Sequence, residues 1–132
     1  MSDPSSIAAT PEPPYYAVIF TSRRTDGDRG YSRTADRMVQ LAKTMPGYLG
    51  MESVRDPTGA GITVSYWKNE EDIRRWKQQA EHLQAQQAGR MHWYEEFAVR
   101  VAKVERAYGK QARVVPPPAA NVTSKVTLHP EI

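Results

Sequence analysis

There is no cysteine anywhere in the 132 residues. That removes disulfides, iron–sulfur clusters, thiolate zinc sites and every cysteine nucleophile, and it is what a reducing compartment permits. Proline is scarce where structure would form: only Pro46 and Pro57 fall between Tyr15 and Tyr108, and the rest of the 10 prolines sit at the two ends. The longest apolar run, Tyr15 to Phe20, is far short of the roughly 20 residues a membrane helix needs. The opening MSDPSSIAATPEPP lacks the basic start and apolar stretch of a signal peptide. A soluble, cytoplasmic protein with no membrane partner is expected.

Charge of one sign is also missing as a pattern. The formal net charge is +3, but acidic Asp3 and Glu12 near the start oppose basic Lys110, Arg113 and Lys125 near the end. In the middle, Glu70, Glu71 and Asp72 stand beside Arg74, Arg75 and Lys77. No basic stripe interleaved with aromatics stands out, so no nucleic-acid partner is expected. The proline distribution divides the chain into a disordered N-terminal arm over 1–14, one domain over 15–108 and a proline-containing C-terminal tail over 109–132.

Within that domain the periodicities are clear. YYAVIFTS, residues 15–22, is a β-branched and aromatic run that predicts a strand. From Tyr31 to Met45 the apolar residues Tyr31, Ala35, Met38, Leu41 and Met45 recur at helical spacing, and Pro46-Gly47 stops them. Strands over 48–56 and 61–67 flank Asp56-Pro57-Thr58-Gly59, which has turn residues where a hairpin wants them. Asn69 is a good N-cap, with Glu70, Glu71 and Asp72 favourably placed at the positive end of the next helix. That helix is expected to bury Ile73, Trp76, Ala80, Leu83 and Gln87 and to bend near Gly89. A last strand over 97–107 places Phe97, Val99 and Val101 on one face and Ala98, Ala102 and Val104 on the other.

The order is β-α-β-β-α-β, the ferredoxin-like α+β arrangement with a four-stranded antiparallel sheet. Its first strand is apolar on both faces, Tyr15, Ala17 and Ile19 on one and Tyr16, Val18 and Phe20 on the other. Two helices cover only one face of such a sheet, and the domain holds no spare element for the second. A second copy packed sheet against sheet would cover it, so a homodimer is expected.

The stretch MPGYLGMESVRD (residues 45–56) followed by GITVSYWKNEEDIRRWKQQAEH (residues 61–82) resembles the antibiotic biosynthesis monooxygenase family of dimeric α/β barrels. The shared features are a Pro-Gly-aromatic helix stop, a strand ending in Tyr-Trp, an acidic helix start, and an internal Trp and His. The resemblance implies a pocket between the helices and one sheet face. It also implies an enzyme of the flavin-free, metal-free kind that oxidises a small electron-rich aromatic or quinol with O₂. Alternatives within the resemblance are a haem-binding or haem-degrading protein and a non-enzymatic dimer that binds a small hydrophobic ligand.

Flavin-free oxygenation requires a base to deprotonate the phenol, and a desolvated, aromatic-lined site to hold the anion. The resemblance gives Trp67 the role of stacking the substrate. His82 is the histidine inside the family-like pattern that could serve as base. Trp76 and Tyr94 are expected to shape the pocket, with Arg90 holding a carboxylate or phenolate. Where the family's oxygenating pattern has Asn and Tyr, this chain has Thr63 and Ile73. On a straight helix His82 would face away from Ile73; only a break near His82 would turn its ring into the pocket. The haem-degrading pattern asks for an Asn on the first strand and an axial His ten residues after Trp76. YYAVIFTS has no Asn, and that later position is Gln86. No cofactor is therefore expected in the leading reading. His92 and Glu96, one helical turn apart if helical, lack a third ligand nearby, so no metal is expected either.

Overall fold

A computed structural model describes residues 7–110. Strand β1 (Tyr15–Arg24) is followed by helix α1 (Tyr31–Ala42), strands β2 (Tyr48–Arg55) and β3 (Ala60–Trp67), helices α2 (Glu70–Gln78) and α3 (Ala80–Ala88), and strand β4 (Tyr94–Val104). A π-helical turn over Gly89–Trp93 joins α3 to β4. The strands form one antiparallel sheet in the order β2-β3-β1-β4, the expected ferredoxin-like arrangement. Among the described residues no helix is long and apolar enough to cross a membrane.

Local chemistry explains most boundaries. Asn69 accepts a hydrogen bond from the Asp72 backbone N–H at 2.9 Å and caps α2 as expected. In the β2–β3 turn, the Asp56 carboxylate accepts from the backbone N–H groups of Thr58 and Ala60, while Gly59 takes a φ of 97° that a side chain would resist. Helix α1 ends at Ala42, three residues before the expected stop. The N–H groups of Thr44 and Met45 there bond three residues back, to Leu41 and Ala42, and tighten the last turn before Gly47. Strand β4 begins at Tyr94 and ends at Val104, about one turn of chain earlier than expected, because it pairs with β1 from Arg24 onward.

Register fixes the two faces. Trp67, Ser65 and Thr63 stand opposite Tyr16, Val18 and Phe20, and these opposite Lys103, Val101 and Val99. This face carries the helices. Its packed part is Ala42, Trp67 and Trp76, with Val18, Met38, Leu41, Met45, Tyr48, Met51 and Ile73 against them.

The other face departs from expectation. The segment Ile7–Pro14, assigned above to a disordered arm, lies on it. The Ala8 N–H donates to Glu52 at 2.9 Å, and Thr10, buried, bonds the Tyr15 hydroxyl at 3.0 Å. The physical reason is the apolar surface itself: Tyr15 and Ala17 would otherwise be wet, and here both are buried. Residues 1–6 of that arm and 111–132 of the C-terminal tail lie outside the described residues.

Candidate active site on the helix-covered face

The helix expected to run from Glu70 towards Gly89 is broken at Gln79, whose ψ of 132° is extended. Gly89 instead opens the π-helical turn. The break is stabilised locally: the Gln79 side chain accepts from the His82 N–H at 3.0 Å and so caps α3. It also resets the helical phase. Leu83 and Gln87, expected to point inward, are exposed, while His82 turns back over α2.

His82 then stacks on Trp76, ring centroids 4.0 Å apart and 15° from coplanar. Beyond Trp76 comes Trp67, 5.9 Å away at 26°, and Tyr48 meets Trp67 edge-on. Three rings are thus layered from the innermost part of the core to its margin. Trp67 is 0% exposed and Trp76 7%. The Trp67 indole N–H donates to the Ser65 hydroxyl at 2.9 Å, which satisfies a donor that burial would leave costly.

The break at Gln79 denies the Trp76 carbonyl its usual partner four residues on. Two others replace it, the Gln79 N–H at 3.2 Å and His82 Nδ1 at 2.9 Å. A carbonyl oxygen only accepts, so Nδ1 carries the hydrogen and the neutral ring keeps its lone pair on Nε2. Burial lowers the His82 pKa below the ordinary histidine value, and the hydrogen bond to Trp76 works weakly against that shift. A neutral imidazole with its free nitrogen fixed by the tautomer is a competent general base at neutral pH.

Not every expected site residue joins this stack. Trp67 is enclosed, with its face taken by Trp76, so direct stacking of a substrate on Trp67 is corrected to support of Trp76 from below. Tyr94 stands opposite Arg24, eight positions along β1 from Tyr16, the partner of Trp67. Its ring reaches back along the sheet to lie 5.1 Å from that of Phe20, four positions from Tyr16 and so about 13 Å from the Trp67 row at a strand rise near 3.3 Å. Arg90 lies exposed in the π-helical turn, at the Tyr94 end. His92 and Glu96 do not share a helix, since β4 has already begun at Tyr94, and Glu96 faces Arg23 at 3.7 Å. Among the described residues no group of three potential metal ligands occurs.

The Tyr94 end has its own chemistry, which the sequence did not disclose. Phe20 and Phe97 pack against Tyr94. The Arg24 guanidinium lies 3.7 Å from the centre of the Tyr31 ring, and Arg55 approaches the same ring. The hydrogen bonds of these two arginines go to neutral oxygens: Arg24 to the carbonyls of Trp93 and Gly27, Arg55 to the Gly59 carbonyl and the hydroxyls of Ser22 and Tyr31. Burial pushes the Tyr94 hydroxyl up from its ordinary pKa, with Tyr31 adding to the shift. The sequence showed only an arginine two residues beyond the first predicted strand and another near the end of the second, and chain order gave no reason to join them.

A split β-α-β-β-α-β sheet with an aromatic stack between helices and sheet defines a ferredoxin-like α+β protein. The chain belongs to the antibiotic biosynthesis monooxygenase family, whose model matches residues 14–88. It is 56% identical over 100 residues to the uncharacterized protein YqjZ of Bacillus subtilis (strain 168), covering 76% of this chain and 88% of that one. Among solved structures it is similar to SnoaB, a cofactor-independent oxygenase from Streptomyces nogalater, with a TM-score of 0.64 at 11% identity over 74% of this chain and 100% of that chain. Rv0793 from Mycobacterium tuberculosis has a TM-score of 0.61 at 15% identity over 71% of this chain and 99% of that chain. At such identities these structures speak for the fold.

Proposed function

We propose that the protein is a cofactor-independent monooxygenase that oxidises a small electron-rich aromatic or quinol with O₂, working as a cytoplasmic homodimer. The observation that carries this reading is the His82–Trp76–Trp67 stack with the proton held on Nδ1. His82 Nε2 takes the phenol proton. The apolar surroundings leave the phenolate poorly solvated and so raise its tendency to give an electron to O₂. Oxidation of a phenol to a quinone then uses one O₂, one oxygen entering the product and the other leaving as water. Trp76 sets the plane of the His82 ring, and Trp67 sets the plane of Trp76. Members of the family are usually dimers, which agrees with the apolar second face of the sheet.

The test is O₂ uptake by the full chain across a panel of phenols and hydroquinones, with product identified by mass. Turnover should fall on the order of 100-fold or more in His82→Ala, as removal of a general base does. Uptake unaffected by His82→Ala would overturn the assignment of the base. A saturable Soret shift on adding hemin would move the protein to the haem-binding reading. Ligand-dependent stability with no uptake would move it to a non-enzymatic binding dimer.

A further inference from the structure

Arg55, the last residue of β2, stands on the helix-covered face in one row across the sheet with Gly61 of β3, Ser22 of β1 and Phe97 of β4. Gly61 has no side chain, and a Cβ there would lie 2.8 Å from the Arg55 Cζ. The guanidinium therefore crosses β3 over bare backbone and reaches β1, where Nη2 donates to the buried Ser22 hydroxyl at 2.9 Å. Its other bonds go to the Gly59 carbonyl at 2.6 Å and the Tyr31 hydroxyl at 3.5 Å. All three acceptors are neutral, whereas a guanidinium carries five N–H donors. Among the described residues the ion pairs belong to Arg23, Arg37, Arg74 and Arg75. A half-buried cation laid flat on the sheet, with donors in excess of its acceptors, is matched to a planar anion.

Beside this cation lies an open apolar strip. The next row of the same face is Ser53, Thr63, Phe20 and Val99. The rings of Phe20 and Phe97 are 5.6 Å apart, yet Phe97 is 40% exposed and Val99 53%. Gly61, beneath the guanidinium, is two strands from Phe97, about 10 Å at the usual strand spacing. An acid with one or two aromatic rings spans that distance. Charge narrows the choice of acid. Arg24 and Arg55 are the charged groups that act on the Tyr94 hydroxyl. On their outer side the two arginines share an open cleft with Asp26, Asp28 and Asp56. Asp28 is taken up by the Ser32 N–H and hydroxyl, and Asp56 by its own turn, so neither bonds Arg55. Their charges nevertheless repel a dianion such as phosphate more than a carboxylate.

We infer that this end of the helix-covered face binds a small aromatic carboxylate, its acid group on the Arg55 guanidinium and its ring on Phe97 and Val99. The site goes beyond the proposed oxygenation. It uses none of His82, Trp76 or Trp67, and binding there needs no O₂. Arg90, expected from the sequence to hold a carboxylate, is replaced in that role by an arginine from another strand.

Calorimetric titration of the full chain with benzoate, naphthoate, methyl naphthoate and inorganic phosphate tests it. Naphthoate is expected to bind saturably, and its affinity to fall on the order of tenfold or more in Arg55→Gln. Arg74→Gln, which removes an exposed guanidinium paired with Glu71 on α2, should leave the affinity unchanged. The methyl ester should bind wild type as weakly as naphthoate binds Arg55→Gln, and this arm reads the carboxylate without any variant. Gly61→Ala, which sets a Cβ against the guanidinium, should weaken naphthoate as well. Failure of both aromatic acids to bind overturns the site, as does equal affinity for acid and ester. Unchanged affinity in a folded Arg55→Gln overturns the role of Arg55, and phosphate bound more tightly than either acid overturns the ligand class. None of these outcomes touches the oxygenase reading, which O₂ uptake decides separately.

Discussion

The two ends of the helix-covered face use aromatic residues in opposite ways. At the Trp67 end the rings are layered face to face, and the polar atoms (the Trp67 N–H, the Trp76 carbonyl, His82 Nδ1) are all hydrogen-bonded. At the Tyr94 end the rings meet edge-on around two guanidiniums and a pair of phenols. Burial at the first end lowers the pKa of a base, and burial at the second raises that of an acid. Both shifts have one cause, the cost of charge away from water, yet only the first leaves a group able to accept a proton near neutral pH.

Four experiments break or sharpen that contrast. The largest effect should come from Trp67→Ala, which empties the most enclosed position: a loss of about 3–5 kcal/mol in urea unfolding, with the His82 ring released from its stack. If stability fell by less than about 1 kcal/mol, the layered end would not be the packed centre of the fold.

The second concerns pH. His82 has a lowered pKa in the folded chain, so between its unfolded value near 6.5 and its folded value the unfolded state binds more protons. Its contribution to stability is full above about 6.5 and is lost as pH falls through that window towards the folded value. His82→Gln should flatten the low-pH side of the stability profile, read from thermal unfolding at a series of pH values. An unchanged slope would mean that the ring is better hydrated than its stacking implies.

Third, Tyr94→Phe removes one hydroxyl from the far end and should cost about 1 kcal/mol while O₂ turnover stays at the wild-type rate. A large fall in turnover would show that the two ends act on one substrate after all. The smallest effect is expected for Arg37→Ala. This breaks the exposed pair with Glu81 that ties α1 to α3, and exposed pairs contribute little. A marked loss of His82 stacking, seen as a change in tryptophan fluorescence, would instead make that pair part of the His82 support.

Much of the fold was written in local pattern. Strand β1 shows its two apolar faces in alternate residues. Asn69 and the Asp56–Gly59 turn carry their own hydrogen-bonding instructions, and these act over four residues or fewer. The helical stripe in α1 and the alternation of Phe97, Val99 and Val101 on one face of the last strand were likewise legible before any contact was known. The acidic start of α2 was legible for the same reason.

The site was legible only in its residue types. Trp67, Trp76 and His82 were identifiable, but their arrangement depends on a break at Gln79, where neither glycine nor proline signals one. A helix interrupts itself there because layering three rings and re-bonding the Trp76 carbonyl outweigh a straight ladder, and those gains exist only once β3 lies beneath α2. The segment Ile7–Pro14 followed the same rule: a polar, proline-rich opening is held because Glu52, far along the chain, supplied a bond and the sheet face over Tyr15 and Ala17 supplied the dry surface. Sequence determined what depends on neighbours in the chain. Tertiary structure decided where His82 points, which end Tyr94 belongs to and what lies on the bare face of the sheet, because each of those depends on burial, and burial belongs to the whole fold.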